Sequence, residues 1–422
     1  MAASRIARAA LPNGLTALAV ESRSIPIFAA VLAVEAGSCR DPEGKWGLAS
    51  LTSSLLLEGS EDLAGDAMAV RLDALGASLE ASCAHETTTL SAVGLSEHLR
   101  DVLDVMAGAA ARPTLDRRMF EDVRRRELTA VVEDDDDPYC VCRREFFASV
   151  YGDHPRARPI EGRPATLRDL SVADARAFHG AWFAPGRAVL GLSGDFDAGA
   201  ALDAAAEAFG GWTGDGRIET CDGPRPRRLK PARRFVRMDR EQAHLSLGSL
   251  GIARDDPDFH AVAVMDVILG DSPGLASRLA TRLREVEGLA YIIESDTVST
   301  AGRDPGVFWA YTAVSPERAR GAVDAIVDEM RRIRSSPPSE DEVAAAVAYL
   351  RGRHALDRET NESRASRLVG IERYGLGLDY EDAYPTLVGA VTRSQVFDAA
   401  RRVVDPGDYS LVVVGPRRSR VP

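Results

Sequence analysis

The chain has 422 residues, of which 45% are hydrophobic and 27% charged, a composition typical of a globular protein with a sizeable core. Its formal net charge of −12 argues against nucleic-acid binding, because surfaces that bind nucleic acid usually leave a basic excess. The length predicts two or three domains rather than one.

The cysteines and the hydropathy of the chain bear on its cellular location. Cysteines are few and odd in number, which predicts free thiols rather than a disulfide framework. No run of residues is long and apolar enough for a signal peptide or a membrane span, so no membrane partner is expected. We therefore expect a cytoplasmic protein, or a periplasmic one if a signal peptide has been removed. The five cysteines are Cys39, Cys83, Cys140, Cys142 and Cys221.

The first half of the chain predicts strands and helices in alternating groups. Alternating and β-branched residues predict strands at NGLTALAVE and PIFAAVLAVEAGS, a hairpin at ASLEASC and ETTTLSAVGL, and a further strand at RAVLGLSG. Helical periodicity is found between these strands, at residues 46–57, 64–75, 96–110, 116–132 and 139–151.

A repeat in the sequence predicts two homologous domains. APGRAVLGLSG matches DPGDYSLVVVG, RDPEG matches RDDPD, and PTLD matches PSED, in the same order in both halves. The segment 214–234 is rich in Pro, Gly and Arg and is the predicted linker. The predicted domains are therefore 1–213 and 235–422. Each is expected to be an α+β domain with a mainly antiparallel sheet covered by helices.

Common catalytic motifs are missing from the sequence. No two of the seven histidines lie within five residues, so neither HExxH nor HxxEH occurs. The sequence GLSGD has Asp195 where a serine-hydrolase elbow requires glycine. The acidic run EDDDDP is interpreted as a solvated junction between two helices, because a Ca²⁺ loop needs a glycine turn that is not present.

Two segments remain as candidates for a functional site. GLASLTSSLLLEGS predicts an apolar helix with Ser50, Ser53 and Ser54 on one stripe, where leucines would pack better. SRLATRLREVEGLAY predicts a basic helix that ends at Gly288, before the strand LAYIIESDTVS. On spacing alone, such arginines are commonly surface groups that complement the helix dipole.

Together these segments resemble the pitrilysin/insulinase family of inverted zinc metallopeptidases, in particular its short bacterial two-domain subunits. The resemblance extends from PNGLTALAVESRSIPIFAAVLAVEAGSCRDPEGKWGLASL through GASLEASCAHETTTLSAVG and GDHPRARPIEG to SRLATRLREVEGLAY and YSLVVVG. It implies the two-domain α+β fold that the repeat predicts independently.

The resemblance implies that the zinc site is degenerate. The family's helix reads GLAHxxEH, whereas this chain reads GLASLTSS, with Ser50 and Ser54 at the histidine positions and Ser53 at that of the general base. The family's third ligand, a glutamate on a later helix, corresponds by counting to Ala130. A slip of one helical turn would instead bring Glu127 or Glu133 to this position. We therefore expect no metal cofactor in this chain.

The second segment retains the family's Arg/Tyr motif. In the family, an arginine and a tyrosine of the second domain type reach the zinc site of the first type, where they bind the substrate backbone and the developing oxyanion. The resemblance assigns these roles to Arg284 and Tyr291. It implies a zinc-less subunit of a heterodimeric metalloendopeptidase, whose partner carries HxxEH and zinc and whose substrate is a peptide.

Two alternative functions are considered. One is a non-catalytic structural or peptide-binding subunit that resembles the core proteins of respiratory complexes or the presequence-binding subunit of the mitochondrial processing enzyme. The latter has a long glycine-rich loop, whereas LGDSPG at residues 269–274 is short. The other alternative is a peptidase that is active alone through an unrecognised metal site.

Overall fold

A computed structural model of the chain describes residues 6–217, 225–271, 277–419 and 421. Cys221, part of the predicted linker and part of the short loop at 269–274 lie outside the described residues. The chain divides into two compact units. The first unit contains Met1–Val132, Pro159–Asp222 and Ala355–Asp382; the second contains Glu133–Arg158, Gly223–His354 and Ala383–Pro422.

The first unit is built on a six-stranded sheet. Its order is β1-β2-β6-β3-β5-β4, and only β2 and β6 pair in parallel. The central strand β3 is apolar along nearly its whole length, because both of its faces are covered. The strands are β1 (Ala7–Ala10), β2 (Thr16–Glu21), β3 (Ile27–Val34), β4 (Ser78–Cys83), β5 (Thr88–Leu95) and β6 (Ala188–Gly194).

The second unit repeats this topology with five strands. The order β7-β11-β8-β10-β9 is that of the first sheet without its edge strand β1, and again one pair, β7 with β11, is parallel. The repeat found in the sequence is thus present in the strand topology, and the mainly antiparallel character of both sheets is confirmed. The strands are β7 (Arg233–Arg237), β8 (Ala243–Leu250), β9 (Ala290–Asp296), β10 (Val307–Val314) and β11 (Ser410–Gly415).

Helices cover both sheets. Those predicted in the first half are confirmed, apart from residues 96–98, which form a 3₁₀ turn before α3 begins. No helix in the described parts of the chain is both long and apolar enough to cross a membrane. The helices are α1 (Leu48–Leu55), α2 (Gly65–Ala74), α3 (Leu99–Ala111), α4 (Arg117–Asp136), α5 (Pro138–Tyr151), α6 (Pro164–Asp169), α7 (Val172–Trp182), α8 (Ala198–Phe209), α9 (Phe259–Leu269), α10 (Arg278–Ala280), α11 (Ala319–Ser335), α12 (Glu340–Leu356), α13 (Asn361–Tyr374), α14 (Tyr380–Gly389) and α15 (Arg393–Val403).

Each unit contains a helix from the other half of the sequence. In the first unit, α13 packs on β3 and β6 through Ala365, Leu368 and Val369. In the second, α5 packs on β8 and β11. The contiguous division drawn from the sequence did not include this exchange, because periodicity indicates which face of a helix is buried but not which sheet buries it. Strand β7 begins at Arg233, two residues inside the segment assigned to the linker.

Candidate functional site

Helix α1, which carries the three serines, is fixed in the first unit by a cap and an apolar face. The backbone N–H groups of Gly47 and Ala49 each donate to the carboxylate of Asp41 at 2.8 Å, which satisfies two donors at the helix N-terminus. Leu48, Leu51 and Leu55 are buried in the core of the unit. The position of the serine stripe therefore follows from leucine packing rather than from any contact of the serines themselves.

The three serines differ in their surroundings. Ser50 and Ser54 are half-buried, whereas Ser53 is only 2% exposed. Among the described residues, the Ser53 hydroxyl has no hydrogen-bond partner. A buried hydroxyl without a partner costs stability, so packing does not explain why serine occupies this position.

Glu127 of α4 is the carboxylate that the fold brings to the serine stripe. The hydroxyl of Ser54 donates to Glu127 Oε1 at 2.8 Å. Ala130, the position obtained by counting, and Glu133, the alternative on its other side, are exposed. Of the residues weighed for the third ligand, Glu127 is therefore the one in contact with the stripe.

These groups do not fit a zinc ion. Zn²⁺ in proteins is bound by imidazole, thiolate and carboxylate, and a neutral serine hydroxyl is a weak donor beside them. Among the described residues weighed for the third ligand, Glu127 is the strong ligand that contacts the stripe. Within the described residues, no three His, Cys, Asp or Glu side chains are grouped so that they could hold a metal ion. The stripe also lacks the carboxylate base that takes a proton from a metal-bound water.

The basic segment of the second unit is held by ion pairs. Ser277 caps α10 by accepting from the backbone N–H of Ala280 at 3.3 Å. Arg278 forms a bidentate pair with Glu342, with Nε to Oε1 at 2.7 Å and Nη2 to Oε2 at 3.0 Å. This pair, together with hydrogen bonds from Ser339, lowers the pKa of Glu342 to about 2. Arg278 thus attaches α10 to α12 through Glu342.

The backbone of the same segment is π-helical around Arg284. After α10 the chain continues as a π-helical turn, Thr281–Val286, in which Arg284 is exposed. Arg282 in this turn is paired with Glu287. The turn is stopped at Gly288, whose φ of +57° is a left-handed conformation that favours glycine. Short π-helical turns are rare and are frequently found at functional sites.

Strand β9 follows and has an irregularity at Tyr291. On the partner strand β10, Ala313 pairs with Ile292 and Val314 pairs with Ala290, so the backbone of Tyr291 is the extra residue of a β-bulge. Bulges bend a strand and redirect side chains, and they are over-represented next to active sites. Of the Arg/Tyr motif, Arg284 therefore lies in a π-helical turn and Tyr291 in a β-bulge.

Asp266 of α9 is a functional candidate that the sequence analysis missed. Its side chain is fully buried and accepts from the Ser295 hydroxyl at 2.8 Å and from the Thr297 backbone N–H at 2.6 Å. The signal was present in the sequence, because HAVAVMDVIL is an otherwise apolar helix after its first residue and a lone aspartate within it requires partners. Burial, then the nearby charges of Asp296 and Asp271, raise the pKa of Asp266 to about 8.

This raised pKa makes the stability of the protein depend on pH. The folded protein keeps the proton of Asp266 to higher pH than the unfolded chain, in which the pKa of an aspartate is about 3.9. The stabilisation is therefore complete below that value and is lost as the pH rises through about 8.

Asp266→Asn is expected to flatten this loss of stability between about pH 6.5 and 8.5, because asparagine does not ionise and still accepts from the Thr297 amide. Thermal unfolding midpoints of both proteins at matched pH values measure the difference. Asp255→Asn, at an exposed aspartate of the same unit, is the control for the loss of one carboxylate. Parallel pH profiles for wild type and Asp266→Asn would contradict the assignment.

Comparison with known families identifies both halves of the chain. The family model described as "Insulinase (Peptidase family M16)" matches residues 17–162, and the one described as "Peptidase M16 inactive domain" matches residues 169–350. A protein of Mycobacterium tuberculosis described as an uncharacterized zinc protease is 30% identical over 425 residues, which cover 98% of this chain and 94% of that protein. YmxG of Bacillus subtilis, described in the same words, is 23% identical over 416 residues, with 97% and 98% covered.

Solved structures give the same result. The peptidase M16 inactive domain from Pseudomonas fluorescens superposes with a TM-score of 0.92 at 25% identity, covering 99% of this chain and 100% of the other. A protease from Helicobacter pylori, at 18% identity, gives a TM-score of 0.91 with 98% and 100% covered, which shows the shared fold. The full-length relatives and the two family models agree on one assignment: the chain belongs to the insulinase family, peptidase family M16.

Proposed function

We propose that this chain is the non-zinc-binding subunit of a heterodimeric zinc metalloendopeptidase, to which it supplies Arg284 and Tyr291. The observation that carries the proposal is a contrast between the two candidate sites. The first site has hydroxyls where the family has its histidines and its base, with a carboxylate hydrogen-bonded to one of them. The second retains the motif, on a π-helical turn and a bulged strand.

In this proposal, the partner subunit carries HxxEH and zinc, which supply the activated water. The residues of this chain bind and orient the peptide. The Tyr291 hydroxyl donates a hydrogen bond to the oxygen of the scissile carbonyl, where negative charge develops. The Arg284 guanidinium donates to a backbone carbonyl of the substrate. Hydrogen-bond donors placed at developing charge commonly contribute about 3 kcal/mol, or a hundredfold in rate.

The descriptions of the relatives support a peptidase-like protein but differ on whether it is active. The mycobacterial and Bacillus proteins are described as zinc proteases, and the Pseudomonas structure as an inactive domain. A chain with serines at the ligand positions matches the second description better. The family assignment supports a peptidase-like role for this chain, and the serine stripe supports a role without its own metal.

Reconstitution tests the proposal. The purified chain is mixed with an HxxEH-bearing subunit of the same family from the same genome, and peptide hydrolysis is measured with each protein alone and with both together. We expect activity only in the mixture, and zinc by elemental analysis only in the partner. Stoichiometric zinc in this chain alone, or no gain in activity on mixing, would overturn the proposal.

A second candidate function is a non-catalytic subunit that is structural or binds an extended peptide. Strand β4 favours it, because β4 is an edge of the first sheet and, among the described strands, pairs only with β5. Ser78, Glu80 and Ser82 on this strand are exposed, and an added strand could pair with the free backbone edge. Peptide binding by the isolated chain, without any gain in turnover on adding the partner, would favour this function.

A further inference from the structure

The segment that carries Arg284 and Tyr291 ends in contact with a buried residue, Asp266 of α9. At the C-terminal end of α9, the backbone N–H groups of Gly270 and Asp271 both donate to the backbone carbonyl of Asp266, at 2.8 and 2.9 Å. The chain then passes through α10 and the π-helical turn and comes back as β9.

On its return, the segment is bound by the side chain of the same aspartate. The Ser295 hydroxyl donates to Oδ1 at 2.8 Å, and the Thr297 backbone N–H donates to Oδ2 at 2.6 Å. Asp266, Ser295 and Thr297 are all buried, with 0%, 3% and 0% of their surface exposed. Hydrogen bonds of this kind are costly to break, because each partner left behind is buried without a replacement.

The strand held in this way lies at an edge of its sheet. Among the described strands, β9 pairs only with β10, and that pairing is interrupted at Tyr291 by the bulge. Its contact with α9 is close, because a Cβ atom added at Gly270 would lie 2.5 Å from the Ser295 hydroxyl oxygen. The depth at which β9 lies against α9 therefore depends on the carboxyl of Asp266.

We infer that Asp266 is a positioning residue, whose side chain holds the C-terminal end of the segment 277–297 so that Tyr291 keeps a fixed geometry. The inference rests on the proposed function, because it is that function which gives the fixed geometry a purpose. Asp266 is fully buried and does not reach a substrate. Its effect on catalysis passes through the segment.

Hydrogen–deuterium exchange of the isolated full-length chain tests the structural part. Asp266→Ala is expected to raise the exchange rates of amides 290–297 by about tenfold or more, because two hydrogen bonds are lost. Asp266→Asn, which can accept from Thr297 and donate to Ser295, is expected to restore protection. Ser295→Ala removes one of the bonds and should give a smaller increase, which keeps the test informative if Asp266→Ala does not fold.

Asp41→Ala is the matched control for exchange. Asp41 is also a buried carboxylate that accepts two backbone hydrogen bonds, but it does so in the first unit, at α1. This substitution should increase exchange at α1 and leave amides 290–297 unchanged. If Asp266→Ala and Ser295→Ala both left those amides as protected as in the wild type, the inference would be overturned.

A double-mutant cycle in the reconstituted peptidase tests the link to catalysis. If Asp266 acts through Tyr291, Asp266→Ala and Tyr291→Phe should each lower kcat with little change in KM, and the double variant should be no worse than Tyr291→Phe alone. Fully additive losses would overturn the link.

The two proposals fail differently. Wild-type kinetics for both Tyr291→Phe and Arg284→Ala, combined with loosened exchange in Asp266→Ala, would overturn the proposed function but not the structural role of Asp266. Unchanged exchange in Asp266→Ala combined with an impaired Tyr291→Phe would overturn the positioning role alone.

Discussion

Replacing Tyr291 by phenylalanine is expected to lower kcat of the reconstituted peptidase by about a hundredfold, because it removes one hydrogen-bond donor at the developing oxyanion. The change deletes a single oxygen atom, so the fold and the KM for a peptide should change little. Steady-state kinetics of the mixed subunits measure both quantities. Tyr349→Phe, on α12 and outside the segment 277–297, is the matched control and should leave kcat unchanged.

Arg284→Ala is expected to act differently, mainly through KM, because the guanidinium is assigned to the substrate backbone in the ground state as well as in the transition state. Arg284→Lys should recover only part of the loss, because an ammonium group cannot offer the planar pair of donors. Arg320→Ala, at an exposed arginine of α11, controls for the loss of one positive charge. Wild-type kinetics for both Tyr291→Phe and Arg284→Ala would remove the reason for assigning this chain a catalytic contribution.

Restoring the two histidines of the family helix is expected to convert the serine stripe into a zinc site. In Ser50→His/Ser54→His, two imidazoles would lie one helical turn apart, and Glu127 already contacts position 54. Ser53 is left unchanged, because it is buried and a glutamate there would crowd the core. We expect about one zinc per chain by elemental analysis and calorimetry, compared with none for the wild type.

The role of Glu127 in that restored site can be tested directly. Adding Glu127→Gln to the two histidine substitutions should weaken zinc binding at least about tenfold, because the third strong ligand is lost. The same change at Glu133, which is exposed, is the matched control and should have no effect. Zinc binding that is lost with Glu133→Gln and kept with Glu127→Gln would show that the third ligand is on the other side of the counted position.

The local elements of the fold could be predicted from the sequence. Strands such as β2 and β3 and helices such as α1 follow from periodicity and turn residues, which are local properties. The repeat of short motifs predicted two domains with the same topology, and the order of the strands in the two sheets agrees with it. The serine stripe was found in the sequence because its hydroxyls interrupt an apolar pattern, whereas the roles of Arg284 and Tyr291 are what the family resemblance implies.

Other features depended on contacts between residues far apart in the chain. Counting along the sequence gave Ala130 as the counterpart of the family's third ligand, with Glu127 one helical turn away as an alternative. In the structure Glu127 is hydrogen-bonded to Ser54, a contact that residue spacing alone does not predict. The bulge at Tyr291 is a matter of strand register, which is fixed only when β9 pairs with β10.

The partners of buried groups were likewise decided by tertiary structure. The sequence analysis missed the lone aspartate in the apolar helix α9, and only the folded chain brings Ser295 and Thr297 to it from 29 and 31 residues away. The same holds for α5 and α13, whose apolar faces were predictable while the sheets that bury them were not. Hydrophobic burial is non-directional, so a sequence specifies which surfaces must leave water, and the three-dimensional packing decides which of them meet.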